Sequence, residues 1–457
     1  MLDLVIKNGT VVTPEGMFQA NLGVDDGKVV SISRSADSAS SSIDASGLLV
    51  FPGFVDIHVH FFDYYGEFAG PDCEDFESGT KAAASGGVTT ISTMPGDYTP
   101  VDDLRKFEGQ KAASRKKAYV DFAMYGAAGT RNLDNIVELA KGGIIGYKTK
   151  MPATEMYTAA DDAALLEIFE RIAKTGLKSL VHAEVWSLVD LLSRRLQREG
   201  KNRPEFHPQS RPWFVESMAV QRVIELAHVA GARAHIVHLS TAAGLQAIKD
   251  ARARNYDVTT ETCPHYLLFT EKDMGRLGPY AKINPPLRSS EDQRAIWEGI
   301  RTGAIDFITS DHCPHPPGKK EPGWENIWEA RPGSPGLETL VPLILTQGRE
   351  GRLSYPDIAR LLSANPCRVY GLYPQKGSIG VGSDADITIV DPKKTKKISK
   401  DRLYSKSGFA TLYDGWEATG WPRYTIVRGE VVAEDSQVVG NAGYGAFVSP
   451  ASFTPAG

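Results

Sequence analysis

The first residues that suggest chemistry are the two imidazoles of His58-Val59-His60, which end an apolar run at residues 50–57. Side chains at positions i and i+2 lie on the same face of a β-strand, so both rings can bind one metal ion at the end of that strand. Two ordinary histidines in an edge strand would show the same spacing, and imidazole suits many other sites. The rest of the chain must therefore decide between these interpretations.

Four further residues end apolar runs in the same way, namely Lys148, His182, His238 and Asp311. Each has an ordinary structural alternative, since a histidine can be a core residue, an aspartate can cap a helix and a lysine can form an ion pair. Unrelated structural roles would not be expected to place all of them at strand ends. Together with His58 and His60 they predict a metal site.

Two of the other histidines are interpreted as structural. His228 falls within a predicted helix. His235 precedes His238 by three residues and is therefore expected on the opposite face of the same strand.

The number of candidate ligands indicates two metal ions. Four imidazoles and one carboxylate are too many for a single tetrahedral zinc that also keeps an open position for water. Two divalent ions ~3.5–4 Å apart need a bridging anion. Lys148 can supply one if its amine reacts with carbon dioxide to form a carbamate, which offers one oxygen to each metal. Lys150 would share the same strand face and is an alternative at this point.

The elements that position these residues alternate between apolar strands and amphipathic helices, a pattern typical of βα units around a parallel sheet. Eight such strands predict an α/β fold with a closed (β/α)8 TIM barrel, in which the chemistry lies at the C-terminal strand ends. An open doubly wound sheet is the alternative, but its Gly-x-Gly-x-x-Gly fingerprint does not occur. Helices are predicted over 161–174, 213–230 and 293–302, and strands are predicted to end near His58, Met94, Tyr125, Lys148, His182, His238, Cys263 and Ser310.

The two ends of the chain have a different texture, with short strands and turns. Short strands are predicted at 4–6, 10–12 and 29–32 near the N-terminus, and at 387–390, 424–427 and 431–432 near the C-terminus. We expect residues 1–50 and 376–457 to build one small β domain together, beside a catalytic barrel at residues 51–375.

Composition excludes several classes of protein. The chain has 457 residues, 42% of them hydrophobic, with a net charge of -5 and a pI near 6.1, which argues against nucleic acid as a partner. A signal core and a run of ~20 apolar residues are both missing, so we expect a soluble, cytoplasmic protein with no membrane partner. The four cysteines are widely spaced and predict neither a disulfide framework nor a thiolate metal cluster.

The motifs around the predicted ligands resemble those of the cyclic amidohydrolases, the family of hydantoinases, dihydropyrimidinases, allantoinases and dihydroorotases. The resemblance runs in order across nearly the whole chain. It rests on His58-Val59-His60, Gly146-Tyr147-Lys148, Val181-His182-Ala183-Glu184, Val237-His238-Leu239-Ser240 and Ser310-Asp311-His312, and on the further stretches Pro52-Gly53-Phe54-Val55-Asp56, Glu261-Thr262-Cys263-Pro264-His265-Tyr266-Leu267, Asn284-Pro285-Pro286-Leu287-Arg288, Gly336-Leu337-Glu338-Thr339 and Lys376-Gly377-Ser378-Ile379.

The resemblance implies a barrel flanked by a β-sandwich from both termini, and a homotetramer or homodimer. It also implies two Zn²⁺ ions per subunit, with Mn²⁺ or Co²⁺ as alternatives, bridged by Lys148 as N6-carboxylysine. The more buried metal would be bound by three of the ligands and the more exposed metal by two others, with the bridge shared. These sets are His58, His60 and Asp311 for the first metal, and His182 and His238 for the second.

The chemistry that this arrangement implies is hydrolysis of a cyclic amide. Two metals that share a water lower its pKa, and the resulting hydroxide can attack a ring carbonyl. The exposed metal can stabilise the oxyanion, while Asp311 takes the proton of the water and returns it to the leaving ring nitrogen.

The substrate is predicted to be a neutral ring, because Phe62 stands where dihydroorotase-type sequences have an arginine for the substrate carboxylate. Ala153 replaces the tyrosine that D-hydantoinases and dihydropyrimidinases usually carry, and Tyr157 is a candidate substitute. The features resemble the bacterial L-hydantoinase branch most, with allantoinase, dihydropyrimidinase and another cyclic imide hydrolase as alternatives. Predicted substrate contacts are Asn284, Phe62, Tyr65 and Pro332.

Two other classes of protein compete with this interpretation. A zinc deaminase would use histidines and an aspartate on a similar barrel, but with one metal and no bridging lysine. A binding protein without activity would lack some ligands, whereas here every ligand position is filled.

Overall fold

The structure, a computed structural model, describes residues 1–35, 38–62, 72–96, 100–151 and 161–450. Its strands are β1 Leu2–Thr13, β2 Gly16–Asp25, β3 Lys28–Ser33, β4 Ala39–Asp44, β5 Leu49–Pro52, β6 Phe54–Val59, β7 Val88–Thr93, β8 Asp121–Met124, β9 Gly126–Ala127, β10 Gly146–Lys150, β11 Lys178–His182, β12 Arg233–Ile236, β13 Val258–Thr262, β14 Phe307–Ile308, β15 Ile387–Lys397, β16 Glu417–Val427, β17 Glu430–Glu434 and β18 Gln437–Val438. Its α-helices are α1 Phe76–Gly86, α2 Leu104–Arg115, α3 Ile136–Ala140, α4 Asp162–Ala173, α5 Trp186–Arg198, α6 Trp213–Val229, α7 Ala242–Ala253, α8 Pro264–Leu268, α9 Met274–Leu277, α10 Ser290–Arg301, α11 Pro317–Lys320, α12 Leu340–Arg349, α13 Tyr355–Ala359 and α14 Asn365–Val369.

The middle of the chain forms the (β/α)8 barrel that the sequence predicts. Strands β6, β7 and β8 pair in parallel, and β9 to β14 form a second parallel run in chain order. A bridge between Val59 and His312 brings the first and last strands together, and the backbone N–H of His60 donates to the carbonyl of His312 over 2.7 Å. Because β9 follows β8 directly, these strands occupy eight positions around the barrel.

The first two barrel strands are buried without alternation, as in parallel sheets covered on both faces. Every residue of β6 and of β7 is buried. The three predicted helices correspond to α4, α6 and α10. Helix α1 begins with a capping box, in which Asp75 accepts from the backbone of Ser78, and ends at Gly87 in the left-handed conformation.

Both termini contribute to one separate, mostly antiparallel sheet. Its order is β18-β17-β16-β15-β5-β1-β2-β3, with β4 also paired to β1. The N-terminal segments predicted as two short strands are one strand, β1, whose register shifts between Ile6 and Gly9. Strand β15 pairs with β5, which ends at Pro52 just before β6 begins. The sheet therefore fixes the entry of the strand that carries His58.

None of the helices within the described ranges is both long and apolar enough to cross a membrane.

Candidate metal centre

The six predicted ligands line one small cavity of ≈110 Å³ at the C-terminal ends of the barrel strands. We call them the histidine cluster. His58 lies in β6, Lys148 in β10 and His182 ends β11. The other three lie in the segments that follow a strand, His60 after β6, His238 after β12 and Asp311 after β14. Five strands therefore direct side chains from distant parts of the chain to one point.

The first group within the cluster consists of His58, His60 and Asp311. The Oδ1 atom of Asp311 lies 3.2 Å from His58 Nε2 and 3.6 Å from His60 Nε2. One ligand atom of each residue lies within 4.8 Å of the others. This spacing suits three ligands of a single ion.

The second group is the pair His182 and His238. Their Nδ1 and Nε2 atoms, respectively, are 3.1 Å apart. Two nitrogens bound tetrahedrally to one zinc at ~2.05 Å would be roughly 3.3 Å apart. The rings of His58 and His238 have centroids 5.4 Å apart, so the two groups are neighbours.

Two buried glutamates fix which ring nitrogen of His58 and of His182 faces the cavity. Glu261 contacts His58 Nδ1, and Glu184 lies 2.6 Å from His182 Nε2. A carboxylate at one nitrogen holds the proton there and leaves the lone pair of the other nitrogen for a metal. His58 Nε2 is buried and has no hydrogen-bond partner among the described residues.

The charge states also fit a divalent cation. Burial lowers the pKa of His58, His182 and His238, so the rings are held neutral, the form that binds metals. Burial raises the pKa of Asp311, but the neighbouring His58 and His60 outweigh it and lower that pKa to about 2. The donor set is therefore neutral imidazole plus carboxylate, and these residues fit the metal ions that the sequence implies.

Lys148 lines the same cavity as both groups. Its side chain is 1% exposed, and its charge lowers the pKa of His58, His182 and His238. Lys150 also lines the cavity but is less buried. Of the two lysines, Lys148 is the more buried, and it acts on histidines of both groups, as a bridging group would.

The backbone is strained at two members of the cluster. His238 has a φ of 41° and Asp311 a φ of 49°. Residues other than glycine rarely adopt this conformation, and it is concentrated at functional sites. Gly333, which lines the same cavity, has no space for a side chain, because a Cβ atom would lie 2.2 Å from the carbonyl oxygen of Cys313.

The prediction that His235 lies on the face opposite His238 is wrong. His235 does not point away from the site. Its Nε2 lies 3.2 Å from Glu261, the carboxylate that also contacts His58. The alternation argument failed because β12 ends at Ile236, so His238 lies beyond the strand.

Three supporting residues were not assigned a role from the sequence, namely Glu184, Glu261 and Asp56. The carboxylate of Asp56 accepts from the backbone N–H groups of His58 and Ser310, each over about 3.2 Å. It thereby joins the first and last barrel strands beside the cluster. Burial raises the pKa of Asp56 to about 7. All three lie in motifs quoted above, and Glu184 also shares a strand-like i, i+2 spacing with His182.

The four predicted substrate contacts do not share one location. Asn284 and Pro332 line the cavity, and the buried Oδ1 of Asn284 has no hydrogen-bond partner in the described part of the chain. The carbonyl of Pro332 lies 3.1 Å from His315 Nε2. Phe62 packs against His315, with ring centroids 5.1 Å apart. Tyr65 lies outside the described residues, as do Ala153 and Tyr157.

Comparison with known proteins gives one consistent result. Residues 49–432 match the model of the Amidohydrolase family. The chain is 38% identical to an L-hydantoinase of Paenarthrobacter aurescens and 40% identical to an allantoinase of Rubrobacter xylanophilus, with 98% of each chain covered in both cases. The solved structure of an L-hydantoinase from Arthrobacter aurescens superposes with a TM-score of 0.94 at 38% identity, over 98% of this chain and 100% of the other.

Proposed function

This chain belongs to the amidohydrolase family, and from that premise we propose that it opens a neutral, hydantoin-like ring with the help of two metal ions. The observation that carries the proposal is the histidine cluster itself. Its imidazoles, carboxylate and buried lysine line one cavity, and carboxylates behind His58 and His182 fix the ring orientations.

The proposed ligands follow the two groups of the cluster. His58, His60 and Asp311 would bind one ion, His182 and His238 the other, and Lys148 as N6-carboxylysine would bridge them. Zn²⁺ is the proposed metal, with Mn²⁺ or Co²⁺ as alternatives. When bound, the two ions would supply Lewis acidity that lowers the pKa of water and polarises a carbonyl.

The chain's own residues would then orient the ring and move the proton. In the hydrolysis, the oxygen of water bonds to the ring carbonyl carbon, the C–N bond breaks and the ring nitrogen gains a proton. Asp311 is ionised and faces the cavity, so it is the group proposed to accept and return that proton. Asn284 Oδ1, buried beside the cluster, is proposed to accept a hydrogen bond from a ring N–H.

Allantoin is the second candidate substrate, because the allantoinase relative is as similar as the L-hydantoinase. Hydantoin and allantoin contain the same ring and differ in its substituent. A dihydropyrimidine or another cyclic imide is a less favoured ring. A homotetrameric or homodimeric assembly and a cytoplasmic location stay predictions.

The test is to incubate zinc-loaded protein with hydantoin, allantoin, dihydrouracil, dihydroorotate and succinimide, and to follow ring opening. We expect turnover of the hydantoin ring, with two metals per chain by elemental analysis, and weak or no turnover of the acidic dihydroorotate. Protein that holds two metals and opens none of these rings would refute the proposal.

A further inference from the structure

A second cavity, of ≈700 Å³, adjoins the one that holds the histidine cluster and shares Asn284 and Pro332 with it. Its walls come from α5, from the segment around Arg211 and from the segments at 318–322 and 328–332. We call it the arm cleft. A ring held beside the cluster at Asn284 would therefore lie next to this cleft, within reach of a substituent of the ring.

The arm cleft is rich in positive charge. Of the described residues that line it, four are cationic and one, Glu329, is a carboxylate. The chain as a whole has a net charge of -5, so this accumulation is local. The four cationic residues are Arg211, Lys282, Lys319 and Arg331.

Part of this positive charge is balanced, because the buried Arg211 forms an ion pair with the buried Glu184. The other buried member, Lys282, has only backbone carbonyls as hydrogen-bond partners among the described residues. The ammonium of Lys282 donates to the carbonyls of Ile327 and Ala330, each over 2.6 Å. Behind it, Lys320 donates to the carbonyl of Gly333 over 2.8 Å. Carbonyl dipoles solvate an ammonium group but add no negative charge, so each lysine contributes a positive charge near the cleft when it is protonated.

The cationic groups also lower one another's pKa, which shows that their positive charges lie close together. Burial, together with the positive charges of Arg211 and Arg331, lowers the pKa of Lys282 to about 7. Burial and Lys282 likewise lower the pKa of Lys320 to about 7. A bound anion would relieve this repulsion and stabilise both ammonium groups.

Two indole rings complete the cleft, Trp186 and Trp328. Trp328 Nε1 donates to the carbonyl of Lys201 over 3.1 Å, which fixes the orientation of that ring. Apolar walls beside charged groups suit an arm of a few methylenes that ends in an anion.

We propose that the arm cleft binds the ring substituent of the substrate and selects a substituent that ends in a carboxylate. The inference rests on the proposed function, since it assumes that the ring is opened at the histidine cluster. The ring stays neutral, as Phe62 indicates, and the acidic group is on the arm.

The experiment compares 5-(2-carboxyethyl)hydantoin with its uncharged isostere 5-(2-carbamoylethyl)hydantoin. We expect the wild-type protein to prefer the carboxylate in kcat/KM. Arg331→Glu should lower that preference about fivefold, the effect of one exposed charge worth about 1 kcal/mol. Arg294→Glu is the matched control, since Arg294 is exposed on α10 and lies outside the cleft, and it should leave the preference unchanged.

Binding of both compounds, measured by calorimetry, separates the two proposals. If neither compound is opened by protein with two metals, the proposed function fails, while the arm cleft is still tested by whether the carboxylate binds more tightly than the amide. Equal affinity and equal kcat/KM for the two compounds would overturn the arm cleft, as would a preference that Arg331→Glu leaves intact.

Discussion

Among the described residues, two groups of side chains have a composition that suits a metal ion, and they differ in whether the chain itself supplies a cation between them. One is the group of His58, His60 and Asp311, within the histidine cluster. The other, the aspartate cluster, consists of Asp121, Asp384 and Asp386, at the junction of the barrel and the terminal sheet. The number of possible ligands therefore does not tell which of the two groups binds a metal ion.

The aspartate cluster already has its cation. The ammonium of Lys376 lies 2.9 Å from Asp384 and 2.7 Å from Asp386, and it also contacts Asp121. Arg428 contacts Asp121 from the other side. Although burial lowers the pKa of Lys376, Asp386 and Asp384 outweigh it and raise that pKa, so the ammonium stays charged.

The histidine cluster is organised in the opposite way. The carboxylates of Glu261 and Glu184 lie behind the rings of His58 and His182, and burial lowers the pKa of both rings and keeps them neutral. The comparison shows that a site for an external cation is recognised by lone pairs left facing a cavity. Acidic residues whose charge the chain itself balances hold the two parts of the fold together.

The largest expected effect is that of Lys148→Ala. Loss of the proposed bridge should release metal and lower kcat/KM by on the order of 10³-fold, because a catalytic metal contributes several kcal/mol. Metal content by elemental analysis checks the first effect, and small carboxylates should restore part of the activity. Lys150→Ala is the control and should keep both metals. Two metals in Lys148→Ala would contradict the bridge.

Lys376→Met tests the other side of the comparison. Three carboxylates without their main cation should destabilise the fold by about 3–5 kcal/mol, seen as a lower urea midpoint. Metal bound per folded molecule should not change. Lys28→Met is the control, since Lys28 contacts Asp384 but is 43% exposed, and should cost about 1 kcal/mol or less. A variant that folds normally by binding a divalent cation at Asp384 would show that the aspartate cluster is a metal site after all.

Much of the fold and of the histidine cluster follows from local patterns in the sequence. Apolar stretches of the sequence lead into His58, Lys148 and His182, and each of these residues lies in a strand, so their position was visible without a structure. Once the barrel was inferred, its geometry brought the strand ends together.

The features of the fold and of the site that the sequence did not predict depend on contacts between segments far apart in the chain. Nothing in the local sequence indicates that Asp121 from β8 meets Lys376, 255 positions away. The carboxylate that contacts His58 comes from β13, 203 positions away. The strained backbone at His238 is set by its tertiary surroundings, which is why alternation along β12 gave the wrong face for His235.

A smaller effect is expected when the carboxylates behind the rings are neutralised. Glu261→Gln and Glu184→Gln should each weaken metal binding about tenfold, because loss of such a partner loosens the orientation and basicity of one imidazole. Glu261→Gln should affect the ion at His58, and Glu184→Gln the ion at His182. Competition with a chelator measures each loss, with the exposed Glu298→Gln as the control. Equal loss of both ions in each variant would refute separate roles.

The most gradual effect concerns a third group of buried side chains, Glu74 and Glu338, for which the described residues provide neither a lysine nor a histidine of the histidine cluster as an ion-pair partner. Burial and the repulsion of Glu74 raise the pKa of Glu338 to about 8. A carboxyl whose pKa is raised in the folded state stabilises the fold at low pH, and this contribution is lost as pH rises from about 5 towards 8. Glu338→Gln cannot titrate, so its stability should fall less steeply over this range, by up to about 1.4 kcal/mol per pH unit for one proton. Urea midpoints at several pH values measure the slope, with exposed Glu350→Gln as the control. An unchanged slope would mean that Glu338 is ionised in the fold and that a cation balances it, as in the aspartate cluster.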